Sequence, residues 1–279
     1  MSRDTMVSKH TEADAGEGLV LALDTSSDAA VALCRTGPGE EPVQVLARAR
    51  SGDGRRHAET LVPMIQQVLT EAGADADQVG AVVAGTGPAP FTGLRVGLVT
   101  ARGFARARGI SAYGVCSLDA LALESGAGGS VVSAGGTGGL GPPEVLVVTD
   151  AKRREVYYAR YRVGAEDVTA VAGPAVAAPA QVAADHADLI EAGAVFGPAA
   201  ALYADVFTPA AGATPAGAAG SSEAGPVPDG ALAPGAPVDP ALLAQIMVHR
   251  RSHDGDLSLE PRYLRRPDVH QSAGRKRAS

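Results

Sequence analysis

Leu19-Val-Leu-Ala-Leu-Asp24-Thr-Ser-Ser-Asp28 is the stretch on which the fold turns. Five apolar residues in succession read as a strand buried on both faces. The Asp-Thr-Ser-Ser-Asp run that follows is turn chemistry, so the strand stops near Asp24. Ala29 to Arg35 then predicts a second strand, Gly37-Pro-Gly39 a turn, and Pro42 to Arg50 a third strand. Three strands joined by short turns make an antiparallel meander.

Past the meander the apolar period changes from strand to helix. Leu61, Ile65, Val68 and Ala72 share one face of a helix over 57–73, with Met64 and Leu69 flanking it and Gly73 as its stop. Val79 to Ala84 predicts a strand, Gly93 to Arg108 a helix closed by Gly109, Tyr113 to Val115 a strand end, and Leu118 to Ser125 a helix. The order β-β-β-α-β-α is the unit of the ribonuclease-H-like fold, which actin, sugar kinases and chaperone ATPases carry twice. The expected class is therefore α/β with two such lobes.

The second lobe reads as degenerate. Glu144 to Asp150 and Glu155 to Val163 are strands, the latter with Tyr157 and Tyr161 on one face and Tyr158 on the other. Gly193 to Gly197 suggests a short strand. Asp239 is positioned to cap a helix from Pro240 to about Arg250, with proline at its favoured first position. The expected organisation is a disordered extension over 1–18, a first lobe over 19–125, a Gly-rich loop over 126–143 and a second lobe over 144–267. Within that lobe 209–237 is an Ala/Pro/Gly insertion, and 268–279 is a basic tail.

Composition narrows the function. The chain has 279 residues, 46% hydrophobic but only 4% aromatic and without Trp, so its core must be built from Ala, Val and Leu. A net charge of −7 argues against a primary RNA binder, because phosphate contacts dominate that affinity; it does not exclude a local basic patch. Cys34 and Cys116 lie far apart in apolar stretches and imply no disulfide framework, which suits the cytoplasm. No stretch approaches the about 20 apolar residues of a membrane span.

The densest motif is Gly85-Thr-Gly-Pro-Ala-Pro-Phe-Thr-Gly-Leu-Arg-Val-Gly97, joining a strand end to a helix start. Thr92 fits a helix N-cap and Phe91 a hydrophobic staple before it. Two readings stay open: a cradle for phosphate or carboxylate, and a tight turn that aims the helix. In the helix, Gly93, Gly97, Ala101, Ala105 and Gly109 recur every four residues and form a ridge with almost no side chain. Such a ridge admits close approach of another backbone, either this chain's own sheet or a partner's helix. Asp24 is the candidate for a cofactor contact, where this fold places a phosphate-proximal carboxylate; its alternative role is to order the turn. His249 and His253 are spaced for a metal on one helix face, but Arg250 and Arg251 oppose a cation.

Five blocks in order carry a resemblance: Leu21-Ala-Leu-Asp-Thr-Ser26; His57 with Leu61 and Pro63; the Gly87–Gly97 segment; Asp150-Ala-Lys-Arg-Arg-Glu-Val-Tyr157; and Pro261-Arg-Tyr-Leu-Arg265. Together they resemble the TsaB family, also called YeaZ, from Leu19 to Pro267. The resemblance implies a degenerate actin-like fold and a non-catalytic subunit. That subunit binds and activates the catalytic paralogue TsaD in modifying tRNA with threonylcarbamoyladenosine beside the anticodon, with the ATPase TsaE joining. It implies tRNA contact only indirectly, no membrane, no cofactor and no metal, and allows a homodimer of the lone chain. The implied partner interface falls on His57, Leu61, Met64, Phe91, Thr92, Gly93, Arg95, Gly97 and Ala101. Where the family usually has Gly-Ser, this chain has Ala89-Pro90. The alternative is a nucleotide-dependent or peptidase-like enzyme of the same fold.

Overall fold

A computed structural model describes residues 18–37, 42–52, 57–127, 132–133, 143–209 and 238–265. The first meander forms as expected: β1 (Gly18–Asp24), β2 (Ala30–Thr36) and β3 (Gln44–Arg50) pair antiparallel. Helix α1 (His57–Glu71) then leads to β4 (Val79–Gly85), which pairs parallel to β1. Helix α2 (Phe91–Arg108) leads to β5 (Ser111–Val115), parallel to β4. The sheet order is β3-β2-β1-β4-β5.

Strand alternation sorts the side chains of this sheet onto two faces. Leu21, Leu23, Val31 and Leu33 pack under α1 and α2, meeting Leu61, Met64, Ile65 and Val68. Val20, Ala22, Ala32 and Cys34 face the opposite side. That side is filled by α3 (Ser117–Ala127) and by α8 (Pro240–Ser252), which returns from the end of the chain to lie on β1, β2, β4 and β5.

The second sheet closes the same core from beyond α3 and α8. It comprises β6 (Val132–Ser133), β7 (Pro143–Asp150), β8 (Val156–Val163), β9 (Val168–Ala177) and β10 (Val195–Phe196), with order β10-β7-β8-β9 and β6 against β7. Tyr157 and Tyr161 are buried and Tyr158 half-buried, in line with their alternation. The outer face of this sheet, with Leu146, Val148 and Val156, is covered by four short helices: α4 (Pro179–Asp185), α5 (Ala187–Glu191), α6 (Pro198–Leu202) and α7 (Ala204–Phe207). The second lobe thus repeats the first in shortened form.

Several details depart from expectation. The spacer assigned to 126–143 is entered by α3 through Ala127 and contributes β6, and Pro143 opens β7. The rest of that spacer, and most of the stretches 1–18, 209–237 and 268–279, lie outside the described residues. Thr92 does not cap α2; the helix begins at Phe91 straight after Pro90, which takes the cap position with φ −57° and ψ 137°. Proline blocks continuation of a helix toward its own N-terminus, so the boundary falls one residue past it. Gly73 (φ 62°) and Gly109 (φ 67°) end α1 and α2 as read, and Asp239 caps α8 by accepting the Ala241 N–H. Among the described residues no helix is long and apolar enough to cross a membrane.

Candidate functional site

The cleft opens where the two sheets meet, at the C-terminal ends of β1 and β7. Its volume is about 420 Å³. One wall is the Thr25–Asp28 turn and the start of α2; the other is Thr149, Asp150, Lys152 and Tyr157. This is the position at which an open α/β sheet offers backbone ends to a ligand.

Asp24 sits behind this wall, 1% exposed. Its Oδ1 accepts hydrogen bonds from the Ser26 N–H (2.7 Å) and the Ser26 hydroxyl (2.5 Å). Its Oδ2 accepts from Ser117 Oγ at 2.6 Å, and that oxygen in turn accepts the Gly87 N–H at 3.2 Å. A side chain at Gly85 would collide with Oδ2, so glycine is what lets the carboxylate lie against β4. Asp24 therefore ties the ends of β1 and β4 to the start of α3, which is the turn-ordering role. The cleft itself displays the carboxylates of Asp28 and Asp150, and its cation Lys152 holds Asp150 Oδ2 at 2.7 Å. That balance does not favour a polyphosphate.

The small-residue ridge faces inward. Gly97, Ala101 and Ala105 are buried against this chain's own sheet, and a Cβ at Gly97 would stand 2.4 Å from Thr25 Oγ1. The same hydroxyl donates to the Gly93 carbonyl at 2.9 Å. The ridge exists so that α2 can approach the end of β1, which corrects the expectation that it forms a partner surface. Leu61 and Met64 are likewise buried in the core under α1, at 0% and 7% exposure. His57 opens α1, and its side chain lies outside the described set.

What α1 and α2 turn outward overlaps the expected set only in part. Val62 is 59% exposed and Val99 66% exposed, on helices that lie side by side. Thr92 and Arg95 are exposed at the start of α2. Arg95 stacks its guanidinium 3.4 Å above the Phe91 ring, and its Nε donates to Tyr263 Oη at 3.0 Å. The Tyr263 ring lies 4.7 Å from Phe91.

Tyr263 belongs to a strap after α8 that sequence reasoning missed. The Gly114 N–H donates to the Leu257 carbonyl, Arg102 donates to Leu259 O and Glu260, and the Arg262 N–H donates to Thr86 O. Arg265 then pairs with Glu155 at the end of the β7–β8 turn. Only the Pro261–Arg265 block signalled this segment, and it has no periodicity because it is extended and irregular.

Beneath the cleft a polar network joins the lobes. Tyr161, fully buried on β8, donates to Asp119 Oδ1 of α3 at 2.7 Å, and Arg250 of α8 bridges Asp119 and Asp167 at 2.8 Å each. His249 and His253 stack 4.3 Å apart, with His249 Nδ1 facing Glu166 at 3.2 Å. Among the described residues no cluster of three or more His, Cys, Asp or Glu is arranged for a metal. Burial pushes the thiols of Cys34 and Cys116 up to about 12.

Comparison with known proteins accords with this architecture. Residues 51–207 match the family described as TsaD: tRNA N6-adenosine threonylcarbamoyltransferase. An uncharacterised protein of Mycobacterium leprae is 41% identical over 164 residues, 59% of this chain and 40% of that protein. The tRNA threonylcarbamoyladenosine biosynthesis protein TsaB of Escherichia coli is 31% identical over 144 residues, 51% of this chain and 54% of that protein. The chain thus spans about half the length, or less, of these relatives. The solved structure of YeaZ from Pseudomonas aeruginosa superposes with a TM-score of 0.62 over 88% of this chain and 100% of its own, at 23% identity, a likeness of fold. A match over more than half the chain, with the actin-like pair of lobes, makes this protein a member of the TsaD-type family, in its TsaB (YeaZ) branch.

Proposed function

We propose that the chain serves tRNA threonylcarbamoyladenosine biosynthesis as a docking subunit without a reaction of its own. The observation that carries this reading is the outward face of α1 and α2. There Val62 and Val99 hold their side chains in solvent on adjacent helices, while Gly97, Ala101 and Ala105 of α2 are already used inside. Apolar groups exposed on rigid, adjacent helices can serve a docking partner, since burying them is favourable. A catalytic relative of the TsaD type is the partner that the relatives' names suggest. The cleft supports the same reading: Asp24, the buried carboxylate behind its wall, is held by Ser26 and Ser117.

The reading includes TsaE as a third member, self-association of the isolated chain through the same valines, and a cytoplasmic location, in keeping with two buried free thiols. The test is size-exclusion chromatography with the catalytic relative. Wild type is expected to co-elute and Val62→Asp/Val99→Asp to elute alone, with an unchanged melting temperature. Co-elution of the double variant at wild-type strength would sink the docking face. Calorimetry of the isolated chain with Mg-ATP checks the enzyme alternative; tight binding would favour it.

A further inference from the structure

The cleft holds polar groups that neither the fold nor the docking role employs. Its volume of about 420 Å³ is in the range of small-molecule sites, and Leu118, Leu121, Pro198 and Val238 give it apolar walls. Tyr157 of β8 lines this space and is only 3% exposed, yet its hydroxyl makes no hydrogen bond to any described residue. A hydroxyl taken out of water without a partner costs free energy. Tyr157 stands opposite Thr149 in the β7–β8 pairing, so both side chains leave the sheet on the cleft side. Burial, and then the nearby Asp150, raise the Tyr157 pKa above its ordinary value, so the group is a neutral hydroxyl at pH 7.

The opposite wall carries a second unused group. Asp28 ends the Thr25–Asp28 turn, half-buried, and its carboxylate has neither a hydrogen bond nor an ion pair among the described residues. Asp150 is already matched, since Lys152 Nζ holds its Oδ2 at 2.7 Å. The charged side chains that line the cleft are these three, so Asp28 leaves it with one uncompensated negative charge. Pro88 and Pro90, in the wall toward α2, carry no N–H to offer an anion.

We infer that the cleft binds a small organic amine, with its ammonium on Asp28 and its apolar body against Leu118, Leu121, Pro198 and Val238. Asp28 accepts a charge-assisted hydrogen bond from the ammonium, and the Tyr157 hydroxyl bonds a second polar hydrogen of the ligand. A cation entering an apolar cleft needs such a partner, because a charge that leaves water unpaired is heavily penalised. The site is complete within this chain and goes beyond the docking role.

The test uses the full chain, isotope-labelled for NMR, and probes of one size but different charge: benzylamine, cationic at pH 7; benzyl alcohol, neutral; and benzoate, anionic. Benzylamine is expected to shift the amides of Asp28, Leu118 and Tyr157 saturably, with a Kd of about 1 mM, the scale for so small a ligand. Benzyl alcohol is expected to bind about tenfold more weakly, and benzoate not to bind. Asp28→Asn is expected to weaken benzylamine about tenfold, to the level of the alcohol, and to leave the alcohol unchanged. Absence of benzylamine shifts at these amides overturns the inference. So does benzoate binding as tightly as benzylamine, or full benzylamine affinity in Asp28→Asn. Tyr157→Phe guards against a disturbed turn in the Asp28 variant, since it keeps the ring and removes only the hydroxyl. It is expected to weaken benzylamine about threefold. Unchanged affinity in Tyr157→Phe, alongside a lowered melting temperature of Asp28→Asn, counts against the site.

Discussion

Thr25 Oγ1 fills the space that a side chain at Gly97 would need, 2.4 Å from where its Cβ would stand. The end of β1 and the middle of α2 are thereby held closer than any residue but glycine allows. Gly97→Leu is expected to destabilise the chain itself, by about 2–3 kcal/mol from overpacking, before any partner is considered. Urea denaturation of the isolated variant checks this. In the Gly97→Ala background, adding Thr25→Ala is expected to recover stability; a simple sum of two losses would refute the contact as the cause.

Arg250 joins α8 to α3 and to the β8–β9 turn through Asp119 and Asp167, with its side chain 13% exposed. Arg250→Met keeps the bulk but strands two carboxylates and leaves Tyr161 Oη donating to an uncompensated Asp119. The expected cost is about 3 kcal/mol. Adding Asp119→Asn and Asp167→Asn is expected to return part of it. Thermal melts of the three proteins at pH 7 make the comparison.

Glu124 of α3 is raised from 4.5 to about 7, first by burial and then by Asp239, against which Arg50 acts in the other direction. The folded chain thus holds this proton when the unfolded chain has lost it. Stability from this group is full below about pH 4.5, falls as pH rises toward 7, and levels above it. Glu124→Gln is expected to abolish that loss and to be more stable than wild type at pH 8 by about 1–2 kcal/mol, after allowance for solvent screening. The gap is expected to close at pH 4.5. Melting temperatures of both proteins across this range are the check, and a gap independent of pH would contradict it.

Tyr263 anchors the strap by stacking on Phe91 and accepting from Arg95. Tyr263→Ala is expected to free the strap at a global cost of about 1 kcal/mol. The local sign is faster amide exchange at Gly114 and Arg262, whose N–H groups donate to Leu257 O and Thr86 O along the strap. Exchange unchanged at both amides would mean that the strap is held without the aromatic pair.

The first lobe was legible because its signals are local. Continuous apolar runs, a clear change of period at position 57 and glycines past two helix ends need no knowledge of the rest of the chain. The second lobe was only half legible. Strand β9 carries Gly173 and Pro174 and turns much of its surface to water, so it lacks the alternation that betrays a strand. Proline is tolerated there because β9 is an edge strand, a property of the sheet and not of the residues. Helices α5, α6 and α7 span five residues or fewer each, too short for a period to register.

By itself the sequence determined the meander, the order of the first lobe, the glycine stops of α1 and α2, the Asp239 cap of α8, and the family blocks. Each depends on neighbours in the chain. The direction of the Gly97–Ala101 ridge, the employment of Asp24 by Ser117, the return of α8 between the sheets and the pairing of Arg95 with Tyr263 were decided only by tertiary structure. These join residues dozens of positions apart. A helix of small residues can bury its ridge at home or lend it to a partner, and periodicity is the same in both cases.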